Sequence, residues 1–490
     1  MAQKATVVSL PVRRKRKNFI SAPPGTRLFR LRNGNRTVTH DVSGLPLPLW
    51  PDGRWCVELA AYMHQLALRR LSLKDRGGTP GTYASILSHV VRYCDVKKID
   101  FHQMTDGNFV EFVEQLQNEK KADGERVRSD SHVVDVGHRT LDFLDFVGRR
   151  RRIKDFLSLE GAHILAERRS FTRKGGRGKR AISREYWHHS CLPQRDPEDK
   201  RYPVPEQYID RLRKATFSVK SSSFIKRRRL VLLRVLEATG ARRIEIASLT
   251  VESVLAAKKM ERPFLQMLTF KRGGEPVPRL VPINHTDLAY LVEYIVYFRS
   301  TIVERKLGDT DHGLVFINER SAKPLKPGTV TLELHILRKA AEIKGRAHPH
   351  LFRHRYVTMA LYRLIRAYKI KDKDHFSDAL FKLRDFAQRV MEWTGHKDIE
   401  SLSRYVDWAF ALSATVEGKA EEVDISELAR TGRITLQELK EMRHDMSAAD
   451  FASEVLKRFH VFVKDMSRID GEKGVASVES ALGRLGGAAT

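Results

Sequence analysis

The stretch HPHLFRHRYVTMAL, residues 348–361, together with EWTGHKDIESLSRYVDWA, residues 392–409, decides how the chain is read. If the first run is helical, His350 and Arg353 lie one turn apart on one face. Leu351, Phe352, Tyr356, Val357, Met359, Ala360 and Leu361 then anchor the helix to a core. Such a helix holds an imidazole and a guanidinium rigidly side by side. Arg offers a planar fork to two oxygens and His donates or accepts a proton, a pair suited to a phosphate. In the second run, Gly395 and His396 open a segment that leads to Tyr405. A phenol is a poor nucleophile at neutral pH unless neighbouring cations stabilise its anion. Alone, HxxR in a basic chain is most often a solvated helix face, and a tyrosine among apolar neighbours is most often core. Residues upstream add the weight.

TGARRIE, residues 239–245, places Arg242 just after a helix-ending glycine, with Glu245 three residues on. On a helix Glu245 orients Arg242 through an i,i+3 contact. TFKRGG, residues 269–274, puts Lys271 before a hairpin turn, within reach of a site, with Arg272 as its competitor for that role. Read in order, TGxR, K, HxxRH, GH and Y resemble the tyrosine recombinases, the phage integrase family. The resemblance covers residues 203–415, and residues 51–152 by position and helical pattern only. It implies that Arg242, Lys271, His350, Arg353, His396 and Tyr405 are catalytic. Tyr405 would attack a phosphodiester to give a 3′-phosphotyrosyl link, with no ATP, metal or cofactor. Arg242 and Arg353 would clamp the non-bridging oxygens, Lys271 would protonate the leaving 5′-oxygen, His350 would assist proton transfer, and His396 would bond to the phosphate. Glu245 and His354 would support these groups without taking part. The segment between Arg353 and Gly395 is longer than is usual in the family and includes RAYKIKDKDHFSDALFKLRDF, read as an extra helix.

The 490 residues carry a formal net charge of +29 and are 41% hydrophobic, enough for two or three cored domains with a polyanionic partner. No apolar run is long enough to span a bilayer, and the apolar patch VVSLPV precedes RRKRK, the reverse of a secretory signal. Cys56, Cys94 and Cys191 are scattered and odd in number, which suits free thiols in a reducing compartment. The chain is therefore expected in the cytoplasm with the nucleoid. Double-stranded DNA is its expected partner. The resemblance adds a homotetramer on synapsed DNA, with accessory recombination proteins as further candidates.

Along the chain, residues 1–50 read as a basic, irregular arm. Residues 51–152 carry four amphipathic helical runs and close on Arg149, Arg150, Arg151 and Arg152, candidate DNA-binding residues. Residues 153–202 read as a basic linker in which Lys174, Arg177, Lys179 and Arg180 could track DNA. Its TRKGGRGKRAIS lacks the Ser or Thr that a nucleotide-phosphate loop places after its lysine. HHSC, residues 188–191, lacks a second ligand pair for a metal. Residues 203–415 read as the mixed α+β catalytic domain, with a serine-capped amphipathic helix ending at Gly240 and a hairpin in FLQMLTFKRGGEPVPRLVPI. Residues 416–490 read as a helical tail, with TLQE, residues 435–438, as a capping box. Phe451, Val455, Leu456, Phe459, Phe462 and Val463 form an apolar stripe there, expected to pack on its own domain, and the tail is also a candidate for contacts between protomers. The fold class is thus mainly α with a small β component, a helical core-binding domain joined to the catalytic domain. The competing readings are a nicking and resealing enzyme of the type IB topoisomerase kind and a catalytically inactive DNA-binding accessory protein.

Overall fold

The computed structural model describes residues 18–33, 36–69, 71, 73, 77–173, 182–197, 202–270, 276–367, 370–382, 391, 402, 405–410, 420–443 and 447–470. The chain forms two compact units, Met1–Asp199 and Lys200–Thr490. The fold is mainly α with small two-stranded sheets.

In the first unit, four helices form around one apolar core: α1 (Val57–Leu68), α2 (Gly78–Lys97), α3 (Asp106–Asn118) and α4 (Asp130–Arg151). Thr105 and Ser129 cap α3 and α4 by accepting from Asn108 N and His132 N, which satisfies backbone donors that the first turn leaves orphaned. Inward-facing Leu87, Val91, Phe109, Phe112, Phe143 and Leu144 are fully or almost fully buried.

Two expectations change here. Residues 18–50 are not irregular. β1 (Phe19–Ser21) pairs antiparallel with β4 (Pro46–Pro48), and β2 (Arg27–Asn33) with β3 (Arg36–Asp41). Basic residues scattered along both strands, Arg27, Arg30, Arg32 and Arg36, hid them by breaking any apolar alternation. Nor are residues 153–192 a free linker. Phe156, Leu157, Ile164, Ala166 and Leu192 belong to the helical core, around a short parallel pair of β5 (Leu157–Ser158) and β6 (Ile164–Leu165). β7 (Glu167–Arg173) and β8 (Ile182–His188) form an antiparallel ribbon. His189 of HHSC is buried, with its Nε2 2.8 Å from Asp106 Oδ1 and its Nδ1 accepting from Cys191 N. That histidine ties the ribbon's base to α3.

The second unit begins with α5 (Glu206–Ser218) and α6 (Ser223–Thr239), the latter capped by Ser222 and ended by Gly240. Then follow α7 (Arg243–Ala247), α8 (Val251–Lys258), the hairpin of β9 (Phe264–Thr269) and β10 (Val277–Pro282), and α9 (His285–Glu293). A π-helical turn, Tyr294–Arg299, leads into α10 (Ser300–Leu307). Val315, Phe316 and Ile317 cross the core as an extended run. α11 (Pro327–Ala340), α12 (Pro349–Ala367) and α13 (Lys373–Lys382) follow, then α14 (Ala420–Met442) and α15 (Ala448–Asp470).

Helix α6 is not amphipathic. From Arg227 to Leu236 it is buried on every side, arginines included. Arg227 pairs with Glu293, Arg228 and Arg229 share Glu333, and Arg234 pairs with Asp287 and Glu438. Glu438 lies on α14, so the C-terminal helices dock on the unit through buried charge. Glu438 also takes Arg213, and Arg430 joins Glu237 and Glu206. Burial alone would raise Glu438, but Arg234 and Arg213 outweigh it and hold its carboxyl below the usual range. The guanidiniums of Arg234 and Arg458 each lie 3.6 Å from the centroid of the Tyr290 ring, desolvated cation–π contacts. TLQE is therefore not a cap: Thr435 and Glu438 sit inside α14 and receive Arg234. The apolar stripe of α15 also divides. Phe462 packs over Gly432, whereas Leu456 and Phe459 face outward, 70% and 46% exposed. Among the described side chains of α15, the buried ones are Arg458, on Glu293, and Asp465, which accepts from His285 N and Thr286 N at the start of α9. Among the described residues no helix is long and apolar enough to cross a membrane.

Candidate active site

Gly240 ends α6 in the left-handed region at φ +54°, and a Cβ there would lie 2.6 Å from Tyr356 Cβ. Only glycine meets both demands, conformational and steric. This tight turn directs the next residues to the site. Arg242 caps α7, and Glu245 at its third position accepts from Arg242 N at 3.1 Å and Arg242 Nη1 at 2.6 Å. The i,i+3 contact expected from spacing is present, and it is buried: the Glu245 side chain has no exposed surface.

The same carboxylate accepts from Arg279 Nη2 at 3.0 Å. Arg279 was missed in the sequence. In the register of β10 it lies opposite Met267, on the buried face shared with Val281, while Leu280 points outward. A charged residue on the apolar phase of a strand requires a buried partner, and that alternation was the available signal. Burial favours the neutral acid, but Arg279, Arg242 and Arg353 outweigh it, so Glu245 stays ionised with its pKa lowered.

Helix α12 brings Arg353 to the same place. Its Nη1 donates to Gly240 O at 3.1 Å, and the side chain is almost wholly buried. Burial, then repulsion from Arg242, pulls its pKa down to about 10, still cationic at neutral pH, while Glu245 and Tyr405 act in the opposite sense. Three guanidiniums and one carboxylate thus share a low-dielectric corner with a net positive charge.

Tyr405, in the helical stretch 405–410, packs against α12. Its ring centroid is 5.2 Å from that of His354, and the His354 ring is 4.4 Å from that of His350. Trp408 contacts Tyr405 and His354 edge-on at 5.6 and 5.8 Å. Tyr405 is 5% exposed, with Val357, Leu361 and Leu402 in the same apolar cluster. The structure therefore gathers Arg242, Glu245, Arg353, His354 and Tyr405, with His350 at the edge. Lys271, His396, Lys174, Arg177, Lys179 and Arg180 lie outside the described residues. At the end of α4, Arg151 pairs with Glu58 and Arg149 with Asp145, while Arg152 takes a left-handed conformation that closes the helix.

The site thus combines a helix-end arginine fixed by a buried glutamate, a second arginine on a neighbouring helix, and a tyrosine on that helix's flank. Residues 206–365 match the model of the phage integrase family. The tyrosine recombinase XerD of Vibrio vulnificus strain YJ016 is 29% identical over 174 residues, 35% of this chain and 50% of that protein, and XerD of strain CMCP6 matches equally. The chain thus spans about half the length of the curated relatives it matches. Among solved structures, the XerH site-specific recombinase bound to palindromic difH substrate is 13% identical, covering 71% of this chain and 84% of that one at a TM-score of 0.41.

Proposed function

We propose that the chain is a site-specific DNA recombinase that cleaves and rejoins DNA strands through Tyr405. The observation that carries this reading is the convergence of Arg242 and Arg353 with Tyr405 packed on the helix that bears Arg353. In the proposed step the Tyr405 oxygen attacks phosphorus, the phosphotyrosyl bond forms, and the bond to the 5′-oxygen breaks. Lys271 protonates that leaving oxygen. Arg242 and Arg353 neutralise charge building on the non-bridging oxygens, each contact contributing roughly 2–4 kcal/mol. His350 and His396 assist proton transfer and phosphate binding. The phosphodiester energy stays in the covalent link, so rejoining needs no ATP. Because Tyr405 is almost buried, the turn that carries it must move outward to meet a phosphate. The partner is double-stranded DNA, engaged by a homotetramer, with accessory proteins as further partners.

The test is a nicked suicide duplex that traps the covalent product. Wild type is expected to give a denaturant-resistant protein–DNA adduct, and Tyr405→Phe none, with duplex binding kept. Absence of an adduct with wild type refutes the reading. Joining of ends from two different duplexes is the expected outcome; resealing confined to one duplex assigns the chain to the topoisomerase-like class instead.

A further inference from the structure

The β7–β8 ribbon of the first unit has no part in the site above. Its strands pair from Glu167↔His188 to Arg173↔Ile182, a length of about 23 Å at the usual rise per residue. Its base is anchored. The rings of Tyr186 and His188 lie 5.1 and 5.9 Å from that of His138 on α4, and Arg168 stacks on Trp187 at 4.8 Å. Its outer half is not: Ser170, Phe171, Thr172, Ser183, Arg184 and Glu185 are all exposed. Phe171, 62% exposed, stands opposite Arg184 in the register.

An isolated two-stranded ribbon is marginally stable in water, and this one carries an excess of positive charge. Its described strands, 167–173 and 182–188, carry four Arg against two Glu. The two glutamates are used in exposed pairs, Arg168 with Glu185 and Arg169 with Glu167. Exposed pairs contribute little and exchange readily for other anions. A ribbon of this kind fits the major groove of B-form DNA, about 12 Å wide, with arginines over the flanking phosphates. We propose that β7–β8 is a duplex-DNA docking element of the first unit, with Arg168, Arg169 and Arg184 taking phosphates and Phe171 making apolar contact in the groove. The choice of DNA rests on the recombinase reading; the placement of the surface rests on the ribbon alone.

The experiment is a salt titration of full-length protein binding a fluorescent 30-base-pair duplex. Each lost phosphate contact reduces the slope of log affinity against log salt by about 0.9. The variant Arg168→Gln/Arg169→Gln/Arg184→Gln is expected to lower the slope by roughly 2–3, and affinity at 0.1 M salt on the order of 100-fold. Phe171→Ala is expected to weaken binding with the slope unchanged. Tyr405→Phe should keep the wild-type slope, so failure of the catalytic reading, scored by the missing adduct, is separate from failure of this one. All the substituted ribbon side chains are exposed, and an unchanged melting temperature verifies the fold. An unaltered slope in the folded triple variant overturns the proposal, as does an equal loss of binding to a single-stranded 30-mer, which lacks a groove.

Discussion

Replacing Glu245 by Gln tests the corner that holds the arginines. The carboxylate has no exposed surface and accepts from Arg242 N, Arg242 Nη1 and Arg279 Nη2 at 3.1, 2.6 and 3.0 Å. Gln keeps the shape but removes the charge and turns an amide N–H₂ toward a guanidinium. Breaking a buried pair by removing one partner costs about 3–5 kcal/mol, a large share of the roughly 5–15 kcal/mol that holds a domain. At about 2–4 °C per kcal/mol for a unit of this size, the melting temperature should fall on the order of 10 °C. Loss of fixed phosphate donors should slow formation of the covalent adduct by about 10²–10³-fold. The pH dependence has a definite sign. The folded pKa of Glu245 is lowered from its ordinary 4.5, so its contribution is complete above about 4.5 and is lost as pH falls through the folded value. The stability gap between wild type and E245Q, read from urea unfolding followed by circular dichroism, should be widest at neutral pH and narrow in acid. A gap under about 1 kcal/mol at pH 7, or one that stays constant in acid, would refute the assignment of Glu245 as the keystone.

Gly240→Ala forces a side chain into left-handed backbone and against Tyr356; we expect a loss of about 2–5 kcal/mol from strain and overpacking, partly restored when Tyr356→Ala is combined with it, both measured by denaturant unfolding. Glu438→Ala leaves Arg234 and Arg213 without their shared carboxylate and should destabilise the second unit by about 3–5 kcal/mol; limited proteolysis should then release the C-terminal helices first. In the first unit, burial, with Arg128 and Arg92 nearby, pushes His89 down to about 3 from 6.5. Its folded form stays neutral while the unfolded chain takes up a proton, so stability falls as pH drops from about 6.5 toward 3. His89→Asn should flatten that part of the denaturation-midpoint profile of the first unit, and an unchanged profile would contradict it.

Local spacing made several features legible. Ser222 and Gly240 bound α6, the hairpin is visible in its alternation, and His350 and Arg353 share α12 because helical periodicity is a property of neighbouring residues. The Arg242–Glu245 contact could be read for the same reason: three residues on a helix make one face. Arg279 was hidden because its role depends on which strand phase faces inward, and that is settled by what packs on the hairpin.

The charges of α6 mark the boundary most clearly. As a string, Arg227, Arg228, Arg229 and Arg234 look like a solvated polar face; in the fold they are buried on Glu293, Glu333, Asp287 and Glu438. Arg227 and Glu293 are 66 residues apart, Arg234 and Glu438 204. α15 shows the reverse, leaving Leu456 and Phe459 outside while Arg458 and Asp465 go in. Taken by itself, the chain determined its helices, their ends, its basic character and the order of its reactive residues, because these follow from neighbours along the backbone. Only the tertiary structure decided which charges are buried and which apolar residues stay wet, because a charge enters the interior only where a distant segment supplies the opposite charge.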